Sequence, residues 1–353
     1  MGGKTDKLRS MGAKASLDPR LTTADTATNI LAGLCQLADE AGISCEPWLA
    51  GLPLTRAQID DPSVRVSYRQ ASRIVEAALR AMPQPDLGLR LGCHQNIGNF
   101  GLLGLAMMTA RTFGDAIGIG LQFAGLSGSL MDLEFDTSDP GAIGMIALQR
   151  APDDHLLPFL CEELFASTLM LCRGLVGENF KPLRLELTYP APAYAQRYDE
   201  VFGCPVLFGM ARNRVLVDAA WTEYKLPTYN PVSAQQALAL CQSQLPRERK
   251  PSEIVAGVRR LVRERLRENP RLAEIAAELH LTERTLRRQL ADAGTHYKAI
   301  HDDARSERAH DLLHEGRLPI AQIGAELGFK DAREFRRAFK RWTGVAPREA
   351  RGR

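Results

Sequence analysis

Apolar residues recur at helical spacing in the first part of the chain and again near its end. Residues 24–40 align Ile30, Leu31, Leu34 and Leu37 along one side of a helix. Residues 67–81 do the same with Ile74, Val75 and Leu79, and Ser67 is placed to cap that helix. The glycine-rich apolar stretch 98–126 predicts two helices, the second begun by Thr112 with Asp115 three positions on. LMDLEF at 130–135 and AIGMIALQ at 142–149 flank the turn-forming DTSDPG, which predicts a hairpin. A buried helix is expected over 155–175, then strands at 183–189, 205–208 and 214–218. The first part of the chain thus reads as an α+β domain of helices plus a small sheet.

A break falls at 243–252, SQLPRERKPS, where Pro246, Pro251 and a run of charges separate two apolar-periodic stretches. Cys241 closes the helix before it and Ile254 opens the pattern after it. The expected plan is a disordered arm at 1–20, a domain at 21–242, a linker at 243–252 and an all-α domain at 253–353.

The last domain contains a repeat. One copy runs from Ile275 through Leu279, Leu281, Leu286, Arg287, Arg288 and Leu290. The other runs from Ile323 through Leu327, Phe329, Phe335, Arg336, Arg337 and Phe339. The offset is 48 up to Leu281/Phe329 and 49 from Leu286/Phe335, so the second copy has one extra residue at its turn. Each copy predicts a short helix, a tight turn and a second helix, over about 272–292 and 319–342. Leu286 with Leu290, and Phe335 with Phe339, anchor one face of each second helix. The opposite faces carry Arg284, Arg287 and Arg288 in one copy, and Arg333, Arg336, Arg337, Lys340 and Arg341 in the other. Thr282 and Asp331 are expected helix caps. Between the copies, 295–315 predicts a long helix with a buried stripe of Ile300, Ala304, Ala309, Leu312 and Leu313, ended by Gly316. At about 1.5 Å per residue it spans about 30 Å, close to the ~34 Å turn of a DNA duplex.

Charge sharpens this picture. The net charge is +3, but residues 247–353 hold 25 basic and 17 acidic side chains against 20 and 25 in residues 1–246. A basic end on a mildly acidic body suits a polyanionic partner. The seven cysteines are scattered and odd in number, which argues against a disulfide framework or zinc site and for a reducing, cytoplasmic compartment. No run of eighteen apolar residues predicts a membrane span, and no cofactor is expected.

Residues 252–351 resemble the DNA-binding domain of the AraC/XylS family. The segment from Ile323 to Gly328-Phe329, then Phe335, Arg337, Phe339, Lys340, Arg341, Gly344 and Pro347, is similar to the family signature, and Arg308-Ala309 with Leu312-Leu313 fit its linker helix. Ala350 stands where an aromatic is usual, and Arg333-Glu334 replace small polar and aromatic residues. The resemblance implies two helix-turn-helix units on double-stranded promoter DNA. Arg284, Arg287, Arg288, Ala332, Arg333, Arg336 and Arg337 would occupy base-reading positions. Thr282, Lys298, Asp331, Lys340, Arg341 and Arg351 would lie toward phosphates. It further implies RNA polymerase as a partner and an activating role.

Gly101–Gly104, Thr112–Ala116, Pro152–His155 and Pro205–Phe208 look like the arabinose-binding-type N-terminal domain of regulators such as the ornithine-utilisation regulator. That resemblance implies an unidentified small-molecule effector, homodimerisation, or both. Apolar candidates for an effector pocket are Phe100, Leu103, Met107, Phe123, Phe165 and Met170, while His155 and Glu162-Glu163 have two readings, a contact to a polar group of the effector or, as the favoured one, a solvated helix start. Two rival readings fit the residues less well. An enzyme with an appended DNA reader lacks a phosphate-binding loop, a nucleophile elbow or a reactive-cysteine motif in the sequence. A non-specific architectural DNA binder leaves the acidic first domain unexplained.

Overall fold

Two glycines set the N-terminal packing in the computed structural model, which describes residues 18–139, 141–244 and 252–351. The helix Leu87–His94 crosses Leu157–Val176 with Gly88 and Gly92 at the contact. A Cβ on Gly88 would sit 2.6 Å from the Phe159 carbonyl oxygen, and one on Gly92 would sit 2.5 Å from the Ala166 Cβ. No larger residue permits that approach. Leu157–Val176 is apolar on most faces and accordingly lies buried along nearly its whole length.

Two sheets accompany these helices. β1 (Ala24–Ala27) pairs antiparallel with β2 (Arg65–Ser67). The larger sheet comprises β3 (Met131–Asp136), β4 (Ala142–Gln149), β5 (Arg184–Glu186), β6 (Val206–Leu207) and β7 (Asn213–Asp218), in the order β3-β4-β7-β5-β6. The hairpin β3–β4 runs in register from Met131↔Gln149 to Asp136↔Gly144. Only β5 and β6 are parallel among these neighbours. Arg214 on β7 ties the sheet crosswise, reaching Asp136 at 3.0 Å and Glu186 at 2.6 Å.

Local capping follows the sequence. Ser67 caps Tyr68–Ala81 in a reciprocal box with Gln70, and Thr112 accepts from the Asp115 N–H at the start of Phe113–Gln122. The expectation of one helix over 24–40 needs correction. Residues 24–27 form β1, and the helix begins only at Asn29. Threonines at 22, 23, 26 and 28 favour extended backbone or a helix boundary over a helix interior. The helix Pro231–Gln244 runs past Cys241, and most of the expected linker, 245–251, lies outside the described residues, as does the arm up to residue 17. The chain divides into two compact units essentially on either side of 245–251.

The C-terminal unit is all helical. Glu253–Glu264 lies against the long helix Tyr297–Glu315. Two helix pairs follow, Leu272–Glu278 with Glu283–Asp292 and Ile320–Glu326 with Ala332–Thr343, and a short helix, Pro347–Arg351, packs against the long helix and Ala332–Thr343. A single apolar cluster contains residues of the six longer helices, among them Val258, Ile275, Leu286, Ile300, Ile323 and Phe335. Both helix pairs therefore share one core.

The two turns are built alike. Leu281 N–H donates to the Ala276 carbonyl at 2.8 Å, and Phe329 N–H to the Gly324 carbonyl at 2.9 Å. In each the preceding residue is left-handed, His280 at φ 53° and Gly328 at φ 72°. This is the 6→1 closure by which helices commonly end, with an apolar residue folded back beneath. The extra residue of the second copy is Lys330, which falls between Phe329 and the cap Asp331.

Arg305, on Tyr297–Glu315, joins these parts. Its relative exposure is 9%. Its guanidinium donates to the carbonyls of Leu327 (2.8 Å) and Gly328 (3.1 Å) and to Asn269 Oδ1 (3.0 Å), and lies 4.2 Å from the Phe329 ring centroid. One turn earlier His301 is buried, with its Nε2 lacking a hydrogen-bond partner among the described residues. Burial, and then the Arg305 charge, push its imidazole down to about 4.

Four outcomes test this account. His280→Gly relieves a left-handed non-glycine residue and is expected to stabilise the C-terminal unit by about 1 kcal/mol. Gly328→Ala, whose Cβ would meet the Leu266 carbonyl oxygen at 2.3 Å, should cost about 1–3 kcal/mol in urea unfolding. Arg305→Ala strips buried carbonyls of their donor and should cost about 2–4 kcal/mol, with Arg305→Lys recovering only part, because an ammonium cannot reproduce the planar fork. Unfolded His301 takes up a proton near pH 6.5 and the folded form resists it. The His301 contribution to stability should therefore be constant above about pH 7 and fall as pH drops from about 6.5 toward 4, by at most about 3 kcal/mol. The difference in stability between wild type and His301→Gln, measured across that window, should show this slope.

Candidate nucleic-acid interface

Each second helix of a pair is amphipathic in the strict sense. In Glu283–Asp292, Leu286 and Leu290 are buried and Arg284, Arg287 and Arg288 are exposed. In Ala332–Thr343, Phe335, Ala338 and Phe339 are buried, whereas Arg333, Arg336, Arg337, Lys340 and Arg341 are exposed. Ala332 is half-buried at the first turn. Phe329, Phe335, Phe339 and Trp342 form a chain of tilted ring contacts beneath this helix and fix its inner face.

The caps lie where the sequence places them. The Thr282 hydroxyl accepts from the Thr285 N–H at 3.2 Å. Asp331 accepts from Arg333 and Glu334 N–H, both at 2.7 Å. The Glu334 N–H, joined by that of Arg333 and by the guanidinium charges of Arg337 and Arg333, holds the Asp331 carboxylate below its ordinary range. Both caps are exposed, at the ends from which N–H groups and the helix dipole attract anions.

Not every candidate cation is equally available. Arg284, Arg288, Arg336 and Lys340 make no ion pair among the described residues, and Lys298 stands exposed at the start of Tyr297–Glu315. Arg287 pairs with Glu283 one turn back, and Arg341 reaches Asp302 at 3.2 Å. Arg351 is half-buried and donates to the Leu318 carbonyl, so part of its guanidinium is taken up by the protein itself. The spacer between the two surfaces is Tyr297–Glu315, 19 residues, or about 28 Å. Salt bridges from Arg259 to Asp303 (3.7 Å) and from Arg263 to Glu307 bind it to the first helix of the unit. Sequence reasoning missed Arg305 and His301, although both fall on the stripe shared with Ala309 and Leu312, where a charged or ring residue signals a specific internal partner.

In the N-terminal unit, Phe100, Leu103 and Met107 line a cavity of about 90 Å³. Phe123 and Phe165 belong to the surrounding core and Met170 is half-buried, and none of the three lines it. On Leu157–Val176 the cavity-facing set is Glu163, Leu164, Ser167, Thr168 and Leu171, a helical stripe from which Phe165 and Met170 are rotated away. His155 is exposed, as expected. The reading of Glu162-Glu163 as a solvated helix start is wrong. Leu157 begins the helix, and both carboxyls are buried more than a turn inside it. Glu162 accepts from Tyr194 (2.7 Å) and Tyr198 (2.5 Å), while Glu163 meets the Ser167 hydroxyl. Burial pushes each carboxyl up to about 7.

Comparison with known proteins identifies the family. The family described as the N-terminal arabinose-binding domain of AraC transcription regulators matches residues 42–226, and a helix-turn-helix family matches residues 275–353. The ornithine utilization regulator of Pseudomonas aeruginosa is 31% identical over 318 residues, covering 90% of this chain and 94% of that one. VirS, a helix-turn-helix regulator of Mycobacterium tuberculosis, is 26% identical over 330 residues, covering 92% and 95%. The crystal structure of the transcriptional regulator CdpR from Pseudomonas aeruginosa has a TM-score of 0.45 at 26% identity and covers 88% of this chain and 96% of that one. Among the described residues no helix is long and apolar enough to cross a membrane. With two arginine-faced helices on one core and a relative matched along nearly its whole length, the chain belongs to the AraC family of DNA-binding transcription regulators, in the group that carries an arabinose-binding-type N-terminal domain.

Proposed function

We propose that the protein is an effector-responsive, sequence-specific transcription activator that reads two successive major grooves on one face of promoter DNA. The observation that carries this reading is the pair of exposed arginine faces anchored in a single core on either side of a 19-residue helix. A spacer of about 28 Å, with the width of the flanking helices, suits a duplex turn of ~34 Å. Arg284, Arg287 and Arg288 read bases in one groove. Arg333, Arg336 and Arg337 read the other, with Ala332 giving the backbone room, since a guanidinium fork matches guanine O6 and N7. Thr282, Lys298, Asp331 through its helix terminus, Lys340, Arg341 and Arg351 face phosphates and set the register. The domain at 21–242 binds a small-molecule effector and pairs with a second copy, and the linker at 243–252 passes that state to the DNA reader. RNA polymerase is the downstream partner, in the cytoplasm.

Binding to a promoter fragment, titrated against competitor DNA at several salt concentrations, tests the assignment. Arg336→Ala and Arg287→Ala should each cost about 1–3 kcal/mol of specific binding, with the smaller loss at Arg287, whose guanidinium is already shared with Glu283. Lys340→Ala should weaken all sequences alike and lower the salt slope by about one ion. Affinity indifferent to salt and to both arginine changes would contradict the reading.

A further inference from the structure

The cavity in the N-terminal unit is polarised. Its walls are mainly apolar, with Ile30, Phe100, Leu103, Met107 and Met145 among them; the hydroxyl residues Ser127, Ser129, Ser167 and Thr168 also line it, and Glu163 is the sole charged side chain that does. Glu163 is 5% exposed and has no ion-pair partner among the described residues. Its one polar neighbour of note, the Ser167 hydroxyl, already donates to the Leu164 carbonyl at 3.0 Å. The adjacent Glu162 is different. Two tyrosine hydroxyls satisfy it, and it does not line the cavity. A carboxyl held in an apolar hollow without a cation is costly to ionise, and it stays costly until a ligand brings the missing charge.

We propose that this cavity is the effector site and that it takes a small apolar amine, whose ammonium group pairs with the Glu163 carboxylate while its hydrocarbon part fills the space between Phe100, Leu103, Met107 and Met145. The inference rests on the effector-responsive reading above and names the chemical class of the effector. The volume bounds the ligand. About 90 Å³ is some three-fifths of a ~150 Å³ cavity that holds benzene, which sets the ligand's scale at about four non-hydrogen atoms. The lining also excludes classes. With no arginine, lysine or histidine among the lining residues, a free carboxylate finds no counter-charge. An amino acid would leave its own carboxylate without a counter-charge, and a fatty acid would set its carboxylate beside that of Glu163. A short monoamine leaves no charge unpaired. Since burial holds Glu163 partly protonated near neutrality, binding an ammonium ion releases a proton from the carboxyl to solvent, in a fraction that falls as pH rises.

Calorimetric titration of the full chain with butylamine, isobutylamine, butanol, butyrate and ornithine decides the matter, run in two buffers of different ionisation enthalpy. The expected result is saturable binding of the amines at millimolar concentration or tighter, at least tenfold weaker binding of butanol, butyrate and ornithine, and a buffer-dependent heat reporting proton release at pH 7. Glu163→Gln should weaken the amine at least tenfold and abolish the buffer dependence. Leu103→Phe, which fills the hollow and leaves the carboxyl in place, should exclude the amine while the chain keeps its thermal transition. That second variant carries the test where Glu163→Gln fails to fold. Butyrate or ornithine binding as well as butylamine, amine binding unchanged in Glu163→Gln or Leu103→Phe, or no amine binding at all would each overturn the assignment. Promoter affinity measured on the same samples separates the two layers. Amine binding at Glu163 that leaves DNA affinity unchanged upholds the site and defeats the effector reading. Intact DNA binding with no amine binding defeats the site and leaves the regulator standing.

Discussion

The geometry of the DNA reader depends on one buried cation. Arg305 lies in the middle of the long helix and holds the carbonyls that end Ile320–Glu326, together with Asn269 in the turn after the first helix of the unit. A neutral side chain there would leave several buried acceptors empty, each a penalty of about 1–3 kcal/mol. A lysine would satisfy fewer of them. The guanidinium also lies over Phe329, the residue that folds under the second turn, so one side chain fixes both the angle of the second helix pair and its attachment to the spacer. Without that lock, the shared apolar core would define which residues are inside but leave the orientation of the arginine faces loosely determined.

The same logic, with the sign of the charge reversed, appears in the N-terminal unit. Gly88 and Gly92 allow two helices to approach until their backbones nearly touch, and this draws Leu157–Val176 deep enough to bury two consecutive carboxyls. Glu162 is met by tyrosines from the Gln196–Phe202 helix and the segment before it, and so resembles a structural network. Glu163, one residue on, turns toward a hollow that offers it little. Buried ionisable groups without partners destabilise a fold and are tolerated where they serve binding. In the DNA-reading unit the buried charge is held by three hydrogen bonds and a ring face and confers rigidity. In the N-terminal unit the satisfaction is incomplete, which suits a ligand that comes and goes.

Much of this was legible in the sequence, for identifiable reasons. The helix-turn-helix pairs are short-range structures. Their apolar spacing, caps and turn residues are all local, so Leu286/Leu290, Phe335/Phe339, Thr282 and Asp331 lie where periodicity and cap chemistry put them. The hairpin β3–β4 was equally plain, because turn residues separate two β-prone runs. Residues 24–27 were misread because a strand of four residues carries too little pattern to outweigh the helical periodicity that follows it. Glu162 and Glu163 were misread for a different reason. An acidic pair near a helix start usually faces water, and only the tertiary contact made by Gly88 and Gly92 shows otherwise. Of the six apolar residues proposed for a pocket, three line the cavity, since sequence gives the face of a helix but not which part of the core is hollow.

The central claim is that two arginine-faced helices are held at a fixed separation by a rigid spacer and read DNA together. Hydroxyl-radical footprinting of the full chain on a promoter fragment measures this directly. The account predicts two protected segments centred about 10–10.5 base pairs apart on one face of the duplex, with both lost together when five base pairs are inserted between them. A single protected segment, or two that bind independently of their spacing, would contradict it.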